Sequence, residues 1–377
     1  MQILDRYILR TFIKAFVICF MSLAGLYIVI DSFGNLEEFI NLGQHAGGLT
    51  AVLVEYYGAR VLAFFDRTSA ILTLMAAIFT VTWLQRHNEM TAMMAAGISK
   101  LRIVTPLIIA VAVISALAIG NRELLIPSVR GKLTRNAQDW TGNLQRDLHP
   151  RYDHETHILL KGRYTIAKDQ SIEAPNFRLP PAFSQFGKQL AAEYAYYSPS
   201  RNDRPGGYLL HGIQQPENLD EIPSALVKDR PVILSPHDTD WLKSDECFVV
   251  SRVSFLQLVG GKTWQQFSST AELLADLRNP SLDYGANVRV TIHSRLVRPF
   301  LDMTLLFLGL PLVLSRKKRN IFVAIGFCLL LVHAFYIVVL ASHGLGSQYV
   351  VSPALSAWAP LMILVPIAVA LSNPLRQ

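Results

Sequence analysis

Side chains that could carry chemistry gather in one short stretch, which contains His149, Asp153, His154, Glu155 and His157. Histidines and carboxylates are zinc ligands, and two histidines four residues apart lie on one face of a helix. His154 and His157 are one residue too close for that spacing, and they lie beside a predicted strand. A solvated turn is therefore the favoured interpretation, and we expect no metal and no cofactor.

A second set of residues resembles part of a nucleotide site. Residues 261–263 read Gly-Lys-Thr, like the end of a phosphate-binding loop, but Leu256 stands where that loop needs its first glycine. A simple turn is the better interpretation. The sequence contains no Gly-x-Ser-x-Gly elbow, and its three cysteines suggest no disulfide framework. We therefore predict that the chain is not itself an enzyme.

The composition of the 377 residues points to a membrane protein. Hydrophobic residues make up 51% and charged residues only 17%, whereas soluble domains contain about 25% charged residues. The charge deficit falls in six long apolar runs, which excludes an ordinary soluble enzyme. The net charge of +7 is scattered between these runs, so nucleic-acid binding is not indicated.

Each apolar run is about as long as a membrane-spanning helix, which needs about 20 residues. The first run is too long for a signal peptide and lacks a cleavage site after it, so we interpret it as an uncleaved anchor. The six predicted spans cover residues 12–30, 61–84, 101–120, 299–315, 321–342 and 350–371.

Basic residues in the short loops predict the orientation, because lysine and arginine accumulate on the cytoplasmic side. One side has only Arg60. The other side has Arg6, Arg10, Lys14, Arg86, Lys100, Arg102, Arg316, Lys317, Lys318, Arg319 and Arg376. We therefore expect both termini in the cytoplasm of a multi-pass inner-membrane protein, with the long segment after the third span in the periplasm.

That long segment is predicted to be a β domain. Residues 157–166, 189–197, 207–213 and 247–258 are rich in β-branched and aromatic residues, which favours an antiparallel sandwich or open barrel. Ser269 and Glu272 predict a capping box that opens a short helix through Leu277. The expected domains are residues 1–121 with three spans, 122–298 with the β fold, and 299–377 with three spans.

The loop between the second and third spans predicts a short helix over residues 88–98. Asn88 can cap it, Glu89 suits its positive start, and Gly97 suits its end. One interpretation is a connector that lies in the lipid headgroups. The other is a docking helix for a cytoplasmic partner, because adaptable methionines beside a charged anchor fit a groove well.

This loop resembles the coupling helix of the LptF/LptG permeases, which form the membrane part of the lipopolysaccharide exporter. The likeness extends to the opening Leu-Asp-Arg-Tyr-Ile at residues 4–8 and to Asn-Arg-Glu-Leu-Leu-Ile-Pro at residues 121–127. It continues at residues 269–277, at residues 290–299 and at Gly-Leu-Pro, residues 309–311. The opening and residues 29–31 are more similar to the LptG branch.

The resemblance implies a heterodimer with a paralogous six-span permease subunit, both carrying periplasmic β-jellyroll domains. It also implies a cytoplasmic ABC ATPase dimer as the motor and a single-span bridging protein with a β-jellyroll domain as the receiver of the lipid. Glu89 would be the charged anchor for the ATPase. The other predicted docking residues are Met90, Met93, Met94, Ala96 and Gly97.

Charges inside or beside the spans suggest where a lipid headgroup could bind, since intramembrane charges are costly and mostly functional. The candidates are Arg67, Arg122 and Arg298. Arg67 could instead pair with Asp66 or reach the interface. Arg298 could instead pair with Asp302, one helical turn away.

Together these features predict a non-enzymatic permease subunit that extracts lipopolysaccharide from the inner membrane, using ATP hydrolysed by a partner. The mechanism would be alternating access, which passes the lipid to the periplasmic β domain. Two alternatives come from other classes. One is an ABC subunit that transmits motion without transport, and the other is a membrane-bound enzyme with a metal at His154 and His157.

Overall fold

The computed structural model of the chain describes residues 3–45, 48–139, 144–201, 204–227, 230–259, 263–314 and 321–372. The chain divides into two compact units. We call Met1–Val129 with Gly285–Gln377 the helical unit, and Arg130–Tyr284 the β unit. In sequence, the β unit is inserted between two groups of helices.

Long helices build the helical unit, and short ones accompany the sheet of the β unit. A π-helical turn, Asn121–Leu125, continues α5 into α6. In chain order the helices are α1 (Ile3–Gly34), α2 (Leu36–His45), α3 (Leu49–Arg86), α4 (Glu89–Ala95), α5 (Lys100–Gly120), α6 (Ile126–Leu133), α7 (Phe255–Val259), α8 (Thr263–Phe267), α9 (Thr270–Leu277), α10 (Ala286–Leu314), α11 (Ile321–Ser347) and α12 (Pro353–Leu371).

Among the described residues, five helical stretches are long and apolar enough to cross a membrane. They are Ile3–Gly34, Leu49–Arg86, Lys100–Leu133, Leu329–Ser347 and Pro353–Leu371. These correspond to five of the six predicted spans. The fourth predicted span lies in α10, which is not among the five and carries Arg289, Arg295, Arg298 and Asp302. The count of six therefore stays a prediction.

Close packing joins the long helices of the helical unit. Their buried cluster includes Phe12 of α1, Leu84 of α3, Leu107 of α5, Leu305 of α10 and Leu364 of α12. Lipid tails are as apolar as these side chains, so tight contact rather than exclusion of water favours association in a bilayer. Gly309 of α10 allows such a contact, because a Cβ atom there would collide with the side chain of Leu74.

The β unit contains an antiparallel sheet of eleven described strands. The main hydrogen-bonded order is β1-β4-β5-β7-β8-β11-β10-β9, while β6 also joins β7 to β3, and β3 joins β2. The strands are β1 (Gln145–Asp147), β2 (Arg151–Tyr152), β3 (Leu159–Leu160), β4 (Tyr164–Ile166), β5 (Ser171–Glu173), β6 (Asn176–Arg178), β7 (Gln189–Ser198), β8 (Gly207–Gln215), β9 (Ala225–Val227), β10 (Arg230–Leu234) and β11 (Glu246–Val250). The fold class is thus the predicted one, helices with an inserted antiparallel β domain.

Aromatic side chains fill the core of the β unit. Phe177, Phe186 and Tyr208 are fully buried. The Tyr208 hydroxyl donates a hydrogen bond of 2.9 Å to the Val253 carbonyl, which satisfies the polar end of a buried ring.

Two predicted strands and one predicted helix cap are confirmed by the structure, and one predicted strand is partly wrong. The predicted strands at residues 189–197 and 207–213 are β7 and β8, and the Ser269–Glu272 capping box opens α9 as expected. The strand predicted for residues 247–258 was wrong over its second half, where α7 forms. There Ser254 and Gln257 form their own reciprocal cap. The Ser254 backbone amide donates to the side-chain Oε1 of Gln257 at 2.8 Å, and the Gln257 backbone amide donates to the Ser254 hydroxyl at 3.4 Å.

Some sequence predictions concern residues that lie outside the described ranges. These are the Gly-Lys pair at residues 261–262, the basic run at residues 316–319 and Arg376.

Candidate docking helix and charged cluster

The predicted docking helix exists as α4, seven residues long. Its start differs from the expectation, because Asn88 adopts a left-handed backbone, with φ of 57°, and its side chain makes no capping hydrogen bond. Its end is as predicted. Gly97 has φ of 83°, and the amides of Gly97 and Ile98 donate to the carbonyls of Met94 and Met93, both at 3.0 Å, as in a Schellman motif.

The two faces of α4 have different surroundings. Met90 is only 4% exposed and belongs to the buried cluster of the helical unit, against which Met93 also packs. Met90 therefore holds α4 onto its own chain. The remaining surface of α4 is exposed, with small residues around Met94. It consists of Thr91, Ala92, Met94, Ala95, Ala96 and Gly97, and we call it the docking face.

Glu89, the predicted charged anchor, already has a partner within the chain. The hydroxyl of Tyr7 in α1 lies 2.9 Å from Oε2 and 3.1 Å from Oε1 of Glu89. A carboxylate has about four acceptor positions. The Glu89 carboxylate can thus hold Tyr7 and still accept a hydrogen bond from a cationic group of another protein.

Two of the three predicted lipid-contact arginines meet on one carboxylate, that of Asp66 in α3. Arg122, in the π-helical turn, places a guanidinium nitrogen 2.6 Å from Asp66 Oδ1, and Arg298 of α10 places one 3.3 Å from Oδ2. Arg298 also donates to the Asp66 backbone carbonyl. The expected pairing of Arg298 with Asp302 is therefore replaced by a bond between helices.

Further polar groups surround this carboxylate. Arg295 lies 4.0 Å from Glu123, and the Ser115 hydroxyl donates to Asp302 at 3.5 Å. The Asn121 side-chain amide donates to the Leu62 carbonyl at 2.9 Å. We call Asp66, Arg122, Glu123, Arg295, Arg298 and Asp302 the charged cluster. It connects α3, the π-helical turn and α10 in the way that buried charges are stabilised in membrane proteins.

Arg67 differs from the other two candidate arginines because it is exposed. Arg60, two helical turns earlier on α3, stacks on the Tyr56 ring with its guanidinium carbon 3.4 Å from the ring centre. Of the predicted headgroup contacts, Arg67 is therefore the most exposed in this conformation, whereas the Arg298 side chain is 30% exposed and that of Arg122 only 6%.

The histidine-rich stretch of the β unit is a structural turn. The buried Asp153 carboxylate accepts hydrogen bonds from the Glu155 and Thr156 amides at 2.9 and 3.2 Å and from the Ser251 hydroxyl at 2.6 Å. His157 Nδ1 lies 3.0 Å from the Tyr152 hydroxyl. These bonds hold the Asp153 carboxylate and the His157 ring within the turn.

Among the described residues, His211, Asp245 and Glu246 do have the spacing of metal ligands, with their ligand atoms within 4.8 Å of one another. The Lys243 ammonium already lies 3.5 Å from Glu246. These side chains form a polar network on the sheet surface, where β8 and β11 pair Glu246 with His211.

The long apolar helices and the inserted antiparallel sheet define a polytopic membrane protein with a β domain between two helical groups. The family described as lipopolysaccharide export system permease LptF/LptG matches residues 6–148 and 211–374. The chain therefore belongs to the LptF/LptG family, and the resemblance seen in the sequence is confirmed. No curated protein matches the chain.

Proposed function

We propose that this LptF/LptG-family permease works in the inner membrane as one half of a heterodimer with a paralogous six-span subunit. A cytoplasmic ABC ATPase dimer drives it, and a single-span bridging protein with a β-jellyroll domain receives lipopolysaccharide from it. Both termini and α4 face the cytoplasm, and the β unit lies in the periplasm. The chain is non-catalytic, and its opening residues favour the LptG branch.

The observation that carries this proposal is the exposed docking face of α4. Small residues let a partner's backbone approach closely, and Met94, 37% exposed, can adapt to an irregular groove. The helix is fixed from behind by Met90 and Met93. A displacement of the docking face is therefore transmitted to the buried cluster of the helical unit.

The lipid would meet the chain first through Arg67. Its exposed guanidinium can form charge-assisted hydrogen bonds with a lipid phosphate. Arg122, whose side chain is only 6% exposed, would reach a phosphate only in a conformation in which Asp66 releases it. Transport would then couple rearrangement of the charged cluster to the passage of the headgroup.

Docking is tested by copurification of the ATPase with variants of the full complex. We expect Glu89→Ala and Met94→Asp each to insert normally and to retain much less ATPase than the wild type. Met94→Asp places an unpaired charge in an apolar groove, which is unfavourable. Met93 is unsuitable for this test, because it packs against its own chain.

Gln348→Asp, an exposed change after α11, serves as the control for added surface charge. The control should copurify with the ATPase at the wild-type level. Wild-type ATPase retention by both docking variants would contradict the proposal and leave α4 as a passive connector.

A further inference from the structure

The first two turns of α1 are bonded to both ends of the segment that carries α4. At its entry, the Tyr7 hydroxyl lies 2.9 Å from Glu89 Oε2. At its exit, Arg102 Nη2 lies 3.0 Å from Asp5 Oδ2. The same short part of α1 is thus bonded to two positions that are distant in sequence. Tyr7 and Glu89 are 82 residues apart, and Asp5 and Arg102 are 97 residues apart.

These two bonds contact α1 on different sides of the helix. Successive residues of an α-helix are about 100° apart, so Asp5 and Tyr7 project about 200° from each other around the helix. Between them, Ile8 is fully buried and belongs to the same cluster as Met90. We call Asp5, Tyr7, Glu89 and Arg102 the clasp.

The clasp concerns α1, a helix that is not adjacent to the docking segment along the chain. The chain runs from α3 through α4 into α5, so a movement of α4 reaches those two helices through the backbone. Helix α1 is separated from α4 by α2 and α3 along the chain, so its direct links to the docking segment are side-chain contacts. Of its buried residues, Asp5, Ile8, Phe12 and Ala15 all lie in its first half, next to the clasp.

We infer that the clasp transmits movement of α4 to α1, with Tyr7 and Asp5 acting as positioning residues in transport. This inference rests on the proposed function, in which an ATPase moves α4. It gives a role to the opening Asp-Arg-Tyr of the sequence: its first and third residues bind the two ends of the docking segment. Helix α1 then moves with α4 instead of sliding past it.

The Tyr7→Phe variant tests the inference, because it removes the hydroxyl and keeps the ring. In proteoliposomes containing the complete export complex and purified lipopolysaccharide, we expect normal ATPase retention. The amount of lipid exported per ATP hydrolysed should fall about fivefold, the change expected from the loss of one hydrogen bond. Tyr349→Phe, at a tyrosine that is 59% exposed, is the matched control and should behave as wild type.

A distance measurement separates transmission from a general structural effect. Spin labels at the exposed positions Arg6 and Asn88, which lie outside the docking face, report on the separation of α1 and the start of α4. In the wild type this distance should stay narrow whether or not nucleotide is bound. In Tyr7→Phe it should broaden when nucleotide is bound.

Glu89→Gln distinguishes the clasp from docking. The amide oxygen can still accept the Tyr7 hydrogen bond, so the distance should stay narrow while ATPase retention falls. Unchanged export per ATP together with a narrow distance in Tyr7→Phe would overturn the transmitting role of the clasp, and would leave docking through α4 intact. Normal ATPase retention by Glu89→Ala would contradict the docking proposal itself.

Discussion

The Asp66 carboxylate and the Arg122 guanidinium lie 2.6 Å apart, with side chains that are only 15% and 6% exposed. They belong to two of the helical stretches that can cross a membrane. A lone charge in that environment is costly. Arg298 shares the same carboxylate, so Asp66 connects three parts of the helical unit that are distant in sequence.

Replacing Asp66 by asparagine should destabilise the helical unit strongly. Removal of one partner from a buried ion pair typically costs about 3–5 kcal/mol, because the remaining charge is left uncompensated. We expect a large fall in the thermal unfolding midpoint of the detergent-solubilised protein. Glu37→Gln, at an exposed acidic residue of α2, should change the midpoint little.

The double variant Asp66→Asn with Arg122→Gln refines this prediction. It removes both charges, so its loss of stability should be smaller than the sum of the two single losses. Strict additivity would show that the two groups do not interact in the folded protein.

Arg67 should contribute more than Arg60 to capture of an anionic lipid. A hydrogen bond to a charged group contributes about 1.5–3 kcal/mol, so Arg67→Gln should lower photocrosslinking to lipopolysaccharide about tenfold. Arg60→Gln is the matched control on α3, because its guanidinium is stacked on Tyr56. Wild-type crosslinking in Arg67→Gln would remove Arg67 from the lipid path.

The sequence predicted those features that depend on neighbours along the chain. Five of the six apolar runs, the Ser269–Glu272 cap and Gly97 at the end of α4 all follow from local spacing, and each is present among the described residues. The strand predicted for residues 247–258 was wrong over residues 255–258, because a serine–glutamine cap, which is also a local signal, starts α7 there.

Contacts between distant residues could not be read in the same way. An acid in an apolar run signals a cationic partner, but Arg67, Arg122 and Arg298 were all available to Asp66. The choice depends on how α3 and α10 pack. Likewise, Tyr7 gave no sign that its hydroxyl would reach Glu89. The contacts of Asp66 and of Tyr7 both depend on how the helices pack, and the residues next to each of them in sequence do not indicate that packing.

Asp276 of α9 should make the β unit sensitive to pH. Its carboxyl lines a cavity of about 280 Å³ with Arg130, Gln257 and Trp264. Burial, and then the charge of Glu272, raise the pKa of Asp276 to about 6, although Gln257 and Arg130 oppose this shift. As the pH rises, the folded state thus keeps the Asp276 proton up to a higher pH than the unfolded state, in which an aspartate has a pKa near 3.9.

The sign of the effect follows from proton binding. Between about pH 4 and about pH 6 the folded state binds more protons at this site, so stability falls as the pH rises through that window. We expect Asp276→Asn to gain thermal stability relative to wild type at neutral pH, with the difference shrinking below about pH 5. The exposed Asp220→Asn serves as control, and parallel pH profiles for wild type and Asp276→Asn would rule out the effect.

Cys247 should not react with thiol reagents. It will therefore not interfere when the orientation of the chain is tested by cysteine labelling. The thiol is fully buried in β11 and donates to the Leu234 carbonyl at 3.4 Å. Burial raises its pKa to about 12. Because the thiolate is the reactive form, labelling near neutral pH should be slower than for an exposed cysteine by about a thousandfold.

With Cys19 and Cys328 replaced by alanine, a reporter cysteine at Gln44 or Gln348 should react with an impermeant maleimide in intact cells. One at Thr91, on the docking face, should react only after the membrane is opened. All three positions are exposed, so access to the reagent rather than burial decides the result. Labelling of Thr91→Cys from outside, with Gln44→Cys and Gln348→Cys protected, would place α4 where no cytoplasmic ATPase could reach it. The docking proposal would then fail whatever the family, because its motor and its contact surface would lie on opposite sides of the membrane.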